Sequence, residues 1–254
     1  MSEKAAVGNE DLVEQPPAVG YSHRDRTALE FRGLTAGYNE TMVIHDLEGK
    51  IAVGESLCVV GRNGVGKTTL VKTLFGTIQQ QRGEIVADGK ASASGGWSKP
   101  RPRRMSYCPQ ERPVFDGLTV HDNLTLMSGS RKLDVFEPFF AVFPILADRL
   151  RQQAGTLSGG EKKILAFTRT LSEGRPIVLL DEPSEGVQWE NILKMAELIN
   201  SWKQRGTAFV VVEQNLAFAN LVADSYLVMD QGTVVLTGTR AQISRADIVE
   251  HLHI

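Results

Sequence analysis

Three short runs of consecutive apolar residues stand out along the chain: Leu57-Cys58-Val59-Val60, Ile177-Val178-Leu179-Leu180 and Ala208-Phe209-Val210-Val211-Val212. Runs of this length without polar alternation fit strands buried on both faces of a sheet. Elsewhere the period is two. Leu29-Glu30-Phe31-Arg32-Gly33-Leu34 alternates as a half-buried strand does. Gly37-Tyr38-Asn39-Glu40 reads as a turn, residues 43–53 as further strand, and 83–89 as a strand ending in the turn pair Asp88-Gly89. A short strand is predicted at 105–108, ended by Pro109-Gln110, and a hairpin where 226–229 and 233–236 flank Asp230-Gln231-Gly232.

Helical spacing falls between these strands. It predicts helices at 69–75, 118–127, 135–153, 164–171 and, closing the chain, 247–254, with Pro138 and Pro144 breaking the third. Phe136, Phe139, Phe140 and Phe143 lie at helical spacing and read as core or interface. Residues 91–104 read as a polar loop whose basic run, Arg101-Pro102-Arg103-Arg104, is a solvated face or, less simply, a patch for lipid headgroups or a protein partner. Strands alternating with helices over 254 residues predict one α/β domain with room for a subdomain. Residues 1–27 carry charge, Pro, Gly and Ala without a period and read as a mobile extension, which leaves 28–254 for the domain.

Charge and composition remove several classes of function. A net charge of -2 argues against general binding to nucleic acid. No apolar run is long enough for a membrane-spanning helix, and the N-terminus lacks a signal-peptide core, so a cytosolic protein is expected. Cys58 and Cys108 sit in strand-like runs and read as buried free thiols, and the five histidines form no cluster with metal-ligand spacing.

The chemistry begins after the first apolar run. Gly61-Arg62-Asn63-Gly64-Val65-Gly66-Lys67-Thr68, followed by Thr69, fits G-x-x-x-x-G-K-S/T between a strand and a helix. Glycines let backbone N–H groups curl around phosphate oxygens, and the positive end of the following helix favours the same anion. Lys67 adds a full charge and Thr68 a hydroxyl for Mg²⁺. Ser158, Gly159 and Gly160 open a helix and make a second anion cradle. The run at 177–180 ends in Asp181-Glu182, at the strand end where ligands bind in open α/β sheets. Alone, that pair would be an ordinary surface feature. With a phosphate site upstream, Asp181 fits the Mg²⁺-side carboxylate and Glu182 a group that orients or deprotonates water.

Together with the P-loop, Leu157-Ser158-Gly159-Gly160 and the strand ending in Asp181-Glu182 resemble the ATP-binding subunits of ABC transporters over about residues 29–238. Ala154 to Glu161, Asp181-Glu182-Pro183-Ser184-Glu185-Gly186 and Val212-Glu213-Gln214-Asn215 are similar to the LivF type, the ATPase subunits of branched-chain amino-acid and urea importers. Tyr107-Cys108-Pro109-Gln110 with Phe115 and Leu118-Thr119-Val120 resembles the urea branch. The resemblance implies a mainly parallel sheet core, an antiparallel β subdomain and a helical subdomain at about 118–157. It implies that Tyr38 stacks on adenine and that Gln110 bridges Mg²⁺ and the coupling helix of a membrane permease. Ser158 and Gly160 would reach the γ-phosphate of ATP on the P-loop of a facing ATPase subunit, and 184–187 would join the two sites.

In that pattern Gln214 stands where a histidine is usual, a LivF-type feature that donates a hydrogen bond but cannot take a charge. Lys162-Lys163, Gln188-Trp189, the basic loop and the long N-terminus depart from it. The expected protein is an ATPase on the cytoplasmic face of the membrane that powers an importer, using ATP and Mg²⁺ and pairing with permeases and with a second ATPase subunit, a copy of itself or, as the LivF type implies, a related chain. Its alternatives are a soluble ABC ATPase, a transporter subunit for another substrate and a scaffold that binds ATP without hydrolysis. A GTPase is disfavoured, since Asp46-Leu47-Glu48-Gly49 precedes the P-loop and N-K-x-D is absent.

Overall fold

The computed structural model of the protein describes residues 26–93, 104–127 and 131–252. The expected N-terminal extension, up to residue 25, lies outside them, as do Arg101, Pro102 and Arg103 of the basic run and the last two residues of the closing helix.

Two sheets build the molecule. In the first, β1 (Thr27–Tyr38), β2 (Thr41–Ala52), β4 (Gln80–Ala87) and β5 (Lys90–Ala93) run antiparallel in the order β2-β1-β4-β5. The second has six strands in the order β10-β9-β3-β8-β7-β6. There β3 (Ser56–Gly61), β6 (Met105–Cys108), β7 (Ile177–Asp181), β8 (Ala208–Glu213) and β9 (Ser225–Asp230) are parallel, and β10 (Thr233–Thr239) closes one edge antiparallel to β9. The three apolar runs are the central strands β3, β8 and β7, buried throughout.

Period two sorts those strands between two cores. Leu57, Val59, Leu179 and Val210 face the antiparallel sheet and α1 (Lys67–Phe75). Cys58, Val60, Leu180 and Val211 face the helices that follow. These are α2 (Val120–Thr125), α3 (Glu137–Val142), α4 (Pro144–Asp148), α5 (Gly159–Ser172), α6 (Trp189–Gln204), α7 (Leu216–Val222) and α8 (Arg245–Leu252). The four phenylalanines of the stripe are buried in that second core. Both cysteines are free, and burial pushes both thiols up, Cys108 to about 11, which keeps them protonated and inert.

Several boundaries differ from the sequence reading for local reasons. β1 runs through Tyr38, so the turn shrinks to Asn39-Glu40, with Asn39 at φ 54°. The loop expected from residue 91 begins instead as β5, because Asp88 (φ 47°) and Gly89 (φ 73°) form a two-residue turn that matches strand twist and carries the pairing on to Glu84 opposite Ala93. The helix expected at 164 starts at Gly159, because Ser158 and Glu161 form a capping box that satisfies two backbone N–H groups. The helix expected over 135–153 is two short helices, each with proline in its first turn.

Asn123, fully buried on α2, ties down the segment after Gln110. Its Oδ1 accepts from Phe115 N–H at 2.9 Å and from Arg169 Nη1 at 3.3 Å, and its Nδ2 donates to the carbonyls of Phe115 and Thr119, each at 3.0 Å. Asn123→Leu takes the acceptor away from Phe115 N–H and from the buried Arg169 Nη1, while the carbonyls of Phe115 and Thr119 keep backbone donors. The expected cost is about 1–3 kcal/mol in urea unfolding; an unchanged midpoint would show the bonds to be dispensable.

Candidate active site

The C-terminal ends of β3, β7 and β8 converge on one cavity of about 160 Å³, lined by Asn63, Gly64, Gly66, Lys67, Thr68, Thr69, Gln110 and Glu182 together with Val43. Gly66 caps α1 in the left-handed region, at φ 104°, without a side-chain acceptor for the first N–H groups. A Cβ there would come within 2.8 Å of Ile44 Cγ2. The glycines therefore keep the mouth of α1 open as a cradle for an anion.

Inside it the charges solvate one another. Lys67 is almost fully buried, and its Nζ donates to the carbonyls of Gly61 (2.8 Å) and Arg62 (2.9 Å) and lies 3.7 Å from Glu182 Oε1. Burial lowers its pKa, opposed by Glu182 and Asp181. Asp181 is fully buried and accepts from Thr68 Oγ1 and from Tyr107 OH, each at 3.1 Å. Burial raises its pKa while those two hydroxyls pull it down. Glu182 sits at φ 48°, a backbone region costly for a residue with a side chain, as functional sites often tolerate. Its Oε2 accepts from Gln110 Nε2 at 2.8 Å and its Oε1 from Gln214 Nε2 at 2.8 Å. Gln214 Nε2 also bonds Asn63 Oδ1, linking β8 to the P-loop.

The predicted residues other than Tyr38 thus fall in two places. Gly61 to Thr69, Gln110, Asp181, Glu182 and Gln214 gather around the P-loop. Ser158, Gly159 and Gly160 line a separate cleft of about 530 Å³, with Phe143, Gly186 and Asn191 among its walls. Tyr38 lies at the end of β1, 47% exposed, and lines neither cavity. The oxygens of Thr68, Asp181 and Gln110 are a hard donor set of the kind Mg²⁺ takes, beside an anion cradle, so these residues fit a magnesium–phosphate ligand.

Three contributors escaped the sequence reading. Tyr107 lay within a recognised motif but carries its own role as donor to Asp181. Lys163 is buried and donates to the backbone of both Gln110 and Glu182. Glu213 ends an otherwise apolar strand, and a carboxylate there must find donors. It accepts from the N–H of Ser184 (2.9 Å), Gln214 (3.2 Å) and Asn215 (3.2 Å). An acid closing a buried apolar run is a signal the sequence does carry.

With this geometry in hand, comparison with known proteins narrows the chemistry. The family model described as ABC transporter matches residues 44–185. The chain is 32% identical over 219 residues to the high-affinity branched-chain amino acid transport ATP-binding protein BraG of Pseudomonas aeruginosa, covering 85% of this chain and 94% of that one. It is 29% identical to the probable branched-chain amino acid transport ATP-binding protein LivF of Archaeoglobus fulgidus, covering 86% and 95%. It is 27% identical to the lipopolysaccharide export system ATP-binding protein LptB of Haemophilus influenzae, covering 89% and 96%. Among solved structures it superposes on an ATP-binding subunit of an ABC transporter with a TM-score of 0.79 at 25% identity, covering 90% of this chain and all of that one. The ADP conformation of MJ1267, an ATP-binding cassette of an ABC transporter, superposes with a TM-score of 0.69 at 19% identity, covering 89% and 95%.

Burial raises Glu213 to about 7, against the pull of its hydrogen bonds from Ser184 and Asn215. A raised carboxyl holds its proton in the folded state where the unfolded chain has lost it. Its contribution to stability is therefore complete below about pH 4.5 and is lost as pH climbs through about 7. Glu213→Gln is neutral at every pH. Relative to it, the wild type should lose up to about 3 kcal/mol between pH 4.5 and pH 8. Urea midpoints of both proteins at pH 5 and pH 8 measure this, and parallel pH dependences would refute it.

Proposed function

This chain belongs to the ABC transporter family, as an ATP-binding subunit of the LivF type, and from that premise we propose that it powers an importer of branched-chain amino acids, urea or related amides. ATPase activity goes with the family. The import reading is supported by BraG and LivF, its relatives at 32% and 29% identity. The lipopolysaccharide export relatives favour a second reading, in which the same engine serves an exporter.

The observation that carries the mechanism is Glu182, held by two amide donors beside the buried Lys67 and the P-loop cradle. In this reading the P-loop N–H groups and Lys67 bind the phosphates of ATP. Thr68, Asp181 and Gln110 would hold Mg²⁺, which when bound supplies charge neutralisation on the phosphate oxygens. Glu182 takes a proton from a water as the water's oxygen bonds the γ-phosphorus, and the bond from that phosphorus to the β–γ bridging oxygen breaks, giving ADP and inorganic phosphate. Gln214 orients Glu182 as a hydrogen-bond donor that cannot take a charge. Tyr38 stacks on the adenine.

Ser158, Gly159 and Gly160 serve the ATP of a facing subunit, since they line a cleft apart from their own P-loop. Two subunits, most simply two related chains, close head to tail on ATP and reopen after hydrolysis, and the membrane subunits follow by their different affinities for the two states. The ATPase domain, 28–254 by sequence, takes in Thr27 as the first residue of β1, and about 118–157 form the helical subdomain that meets the permeases. No helix among the described residues is long and apolar enough to cross a membrane. A peripheral position at the cytoplasmic face of the inner membrane fits the permease partners.

Glu182→Gln should lower ATP turnover by about 10²–10⁴-fold while keeping MgATP binding, and should accumulate an ATP-dependent dimer by mass. Unimpaired turnover would remove Glu182 from the chemistry. Copurified membrane subunits, reconstituted in vesicles, should raise turnover with a branched-chain amino acid or urea and its binding protein. Stimulation by lipopolysaccharide alone would establish the export reading instead.

A further inference from the structure

Lys163 departs from the pattern that follows the signature glycines, and the scheme above does not use it. Its side chain is 9% exposed, on the second turn of α5. The ammonium donates to the carbonyl of Gln110 at 3.0 Å and to the carbonyl of Glu182 at 3.0 Å, and lies 3.6 Å from Glu185 Oε2. These partners belong to two separate segments: the loop after β6, and the loop between β7 and α6, which begins at Glu182. Gln110 Nε2, 3.3 Å from Glu185 Oε2, closes the ring.

The same helix grips the joining loop a second time. A Cβ on Gly160 would stand 2.9 Å from the carbonyl of Gly186, so the mouth of α5 packs directly on that backbone. A buried ammonium has lost its water and is held only by the acceptors given to it. Four methylenes and three donors let one side chain reach groups that a shorter amide could not span together.

We propose that Lys163 is a positioning residue that locks the backbones of Gln110 and Glu182 to the signature helix, so that any displacement of α5 by a facing subunit moves both, together with the joining loop. The proposal rests on the ATPase reading of Gln110 and Glu182, and it supplies a rigid link between the cleft that serves the partner's nucleotide and the chain's own site. Lys163 touches neither nucleotide nor water in this role.

The test uses the full chain, alone and copurified with its membrane subunits. Lys163→Met keeps length and removes the donors. In the free chain, amide exchange should rise at least tenfold in residues 109–115 and 182–187, with β3 and α1 unchanged. MgATP affinity should change less than twofold, while kcat of the assembled complex should fall at least tenfold. If Lys163→Met loses cooperative unfolding, Lys163→Gln decides by the same exchange measurement. Unchanged exchange in the two loops, a rise shared equally by β3 and α1, or unchanged kcat in an active complex each overturns the proposal. An inactive wild-type complex would count against the ATPase reading alone, and the exchange pattern would still decide the role of Lys163.

Discussion

Charge taken out of water must be solvated by the protein, and that requirement governs the edge of the parallel sheet where β3, β7 and β8 end. Lys67, Asp181, Glu182 and Glu213 are all buried there. Each charged group left without donors or acceptors in such a place would cost several kcal/mol. The arrangement meets the requirement by mutual pairing: backbone carbonyls and Glu182 around Lys67, hydroxyls of Thr68 and Tyr107 around Asp181, amides of Gln110 and Gln214 around Glu182. The P-loop conformation, the tyrosine on β6 and the glutamine after β8 follow from the same need. A site built this way is poised, since a polyanion entering the cradle replaces partners that the protein groups supply to one another.

The fold delivers these groups by burying strands on both faces. The antiparallel sheet and α1 cover one side of β3, β7 and β8, and the helices from α2 onward cover the other. Only the strand ends are left for polar chemistry, and the parallel direction puts those ends side by side. Helix α5 then extends the network. Its capping box fixes where Ser158 and Gly160 sit, and Lys163 a turn later reaches back to the carbonyls of Gln110 and Glu182.

Much of this was legible in the residue order because the relevant signals are local. A strand, a glycine loop and a helix occur within twenty residues around Lys67, and apolar runs of four or five residues mark the central strands. The hairpin turn at Gln231-Gly232 follows from two adjacent positive-φ residues that the sequence supplies. What escaped was a different kind of fact. Tyr107 and Asp181 are 74 positions apart, and Lys163 and Gln110 are 53 apart. Boundaries also shifted where a local device overrode composition, as at the Asp88-Gly89 turn and the Ser158 cap.

By itself the sequence determined the P-loop, the strand ending in two acids, the signature serine and glycines, and the alternation that makes an α/β domain. Backbone chemistry and periodicity are properties of neighbours in the chain, so they can be read there. The tertiary structure decided that the P-loop and the signature open into separate cavities, that Gln214 and Gln110 share the two oxygens of Glu182, and that Lys163 ties two distant loops to α5 at once. Those outcomes depend on which strand ends meet across the sheet and on which buried charge finds which donor. They are settled by long-range packing and the loss of water, quantities that no stretch of sequence contains.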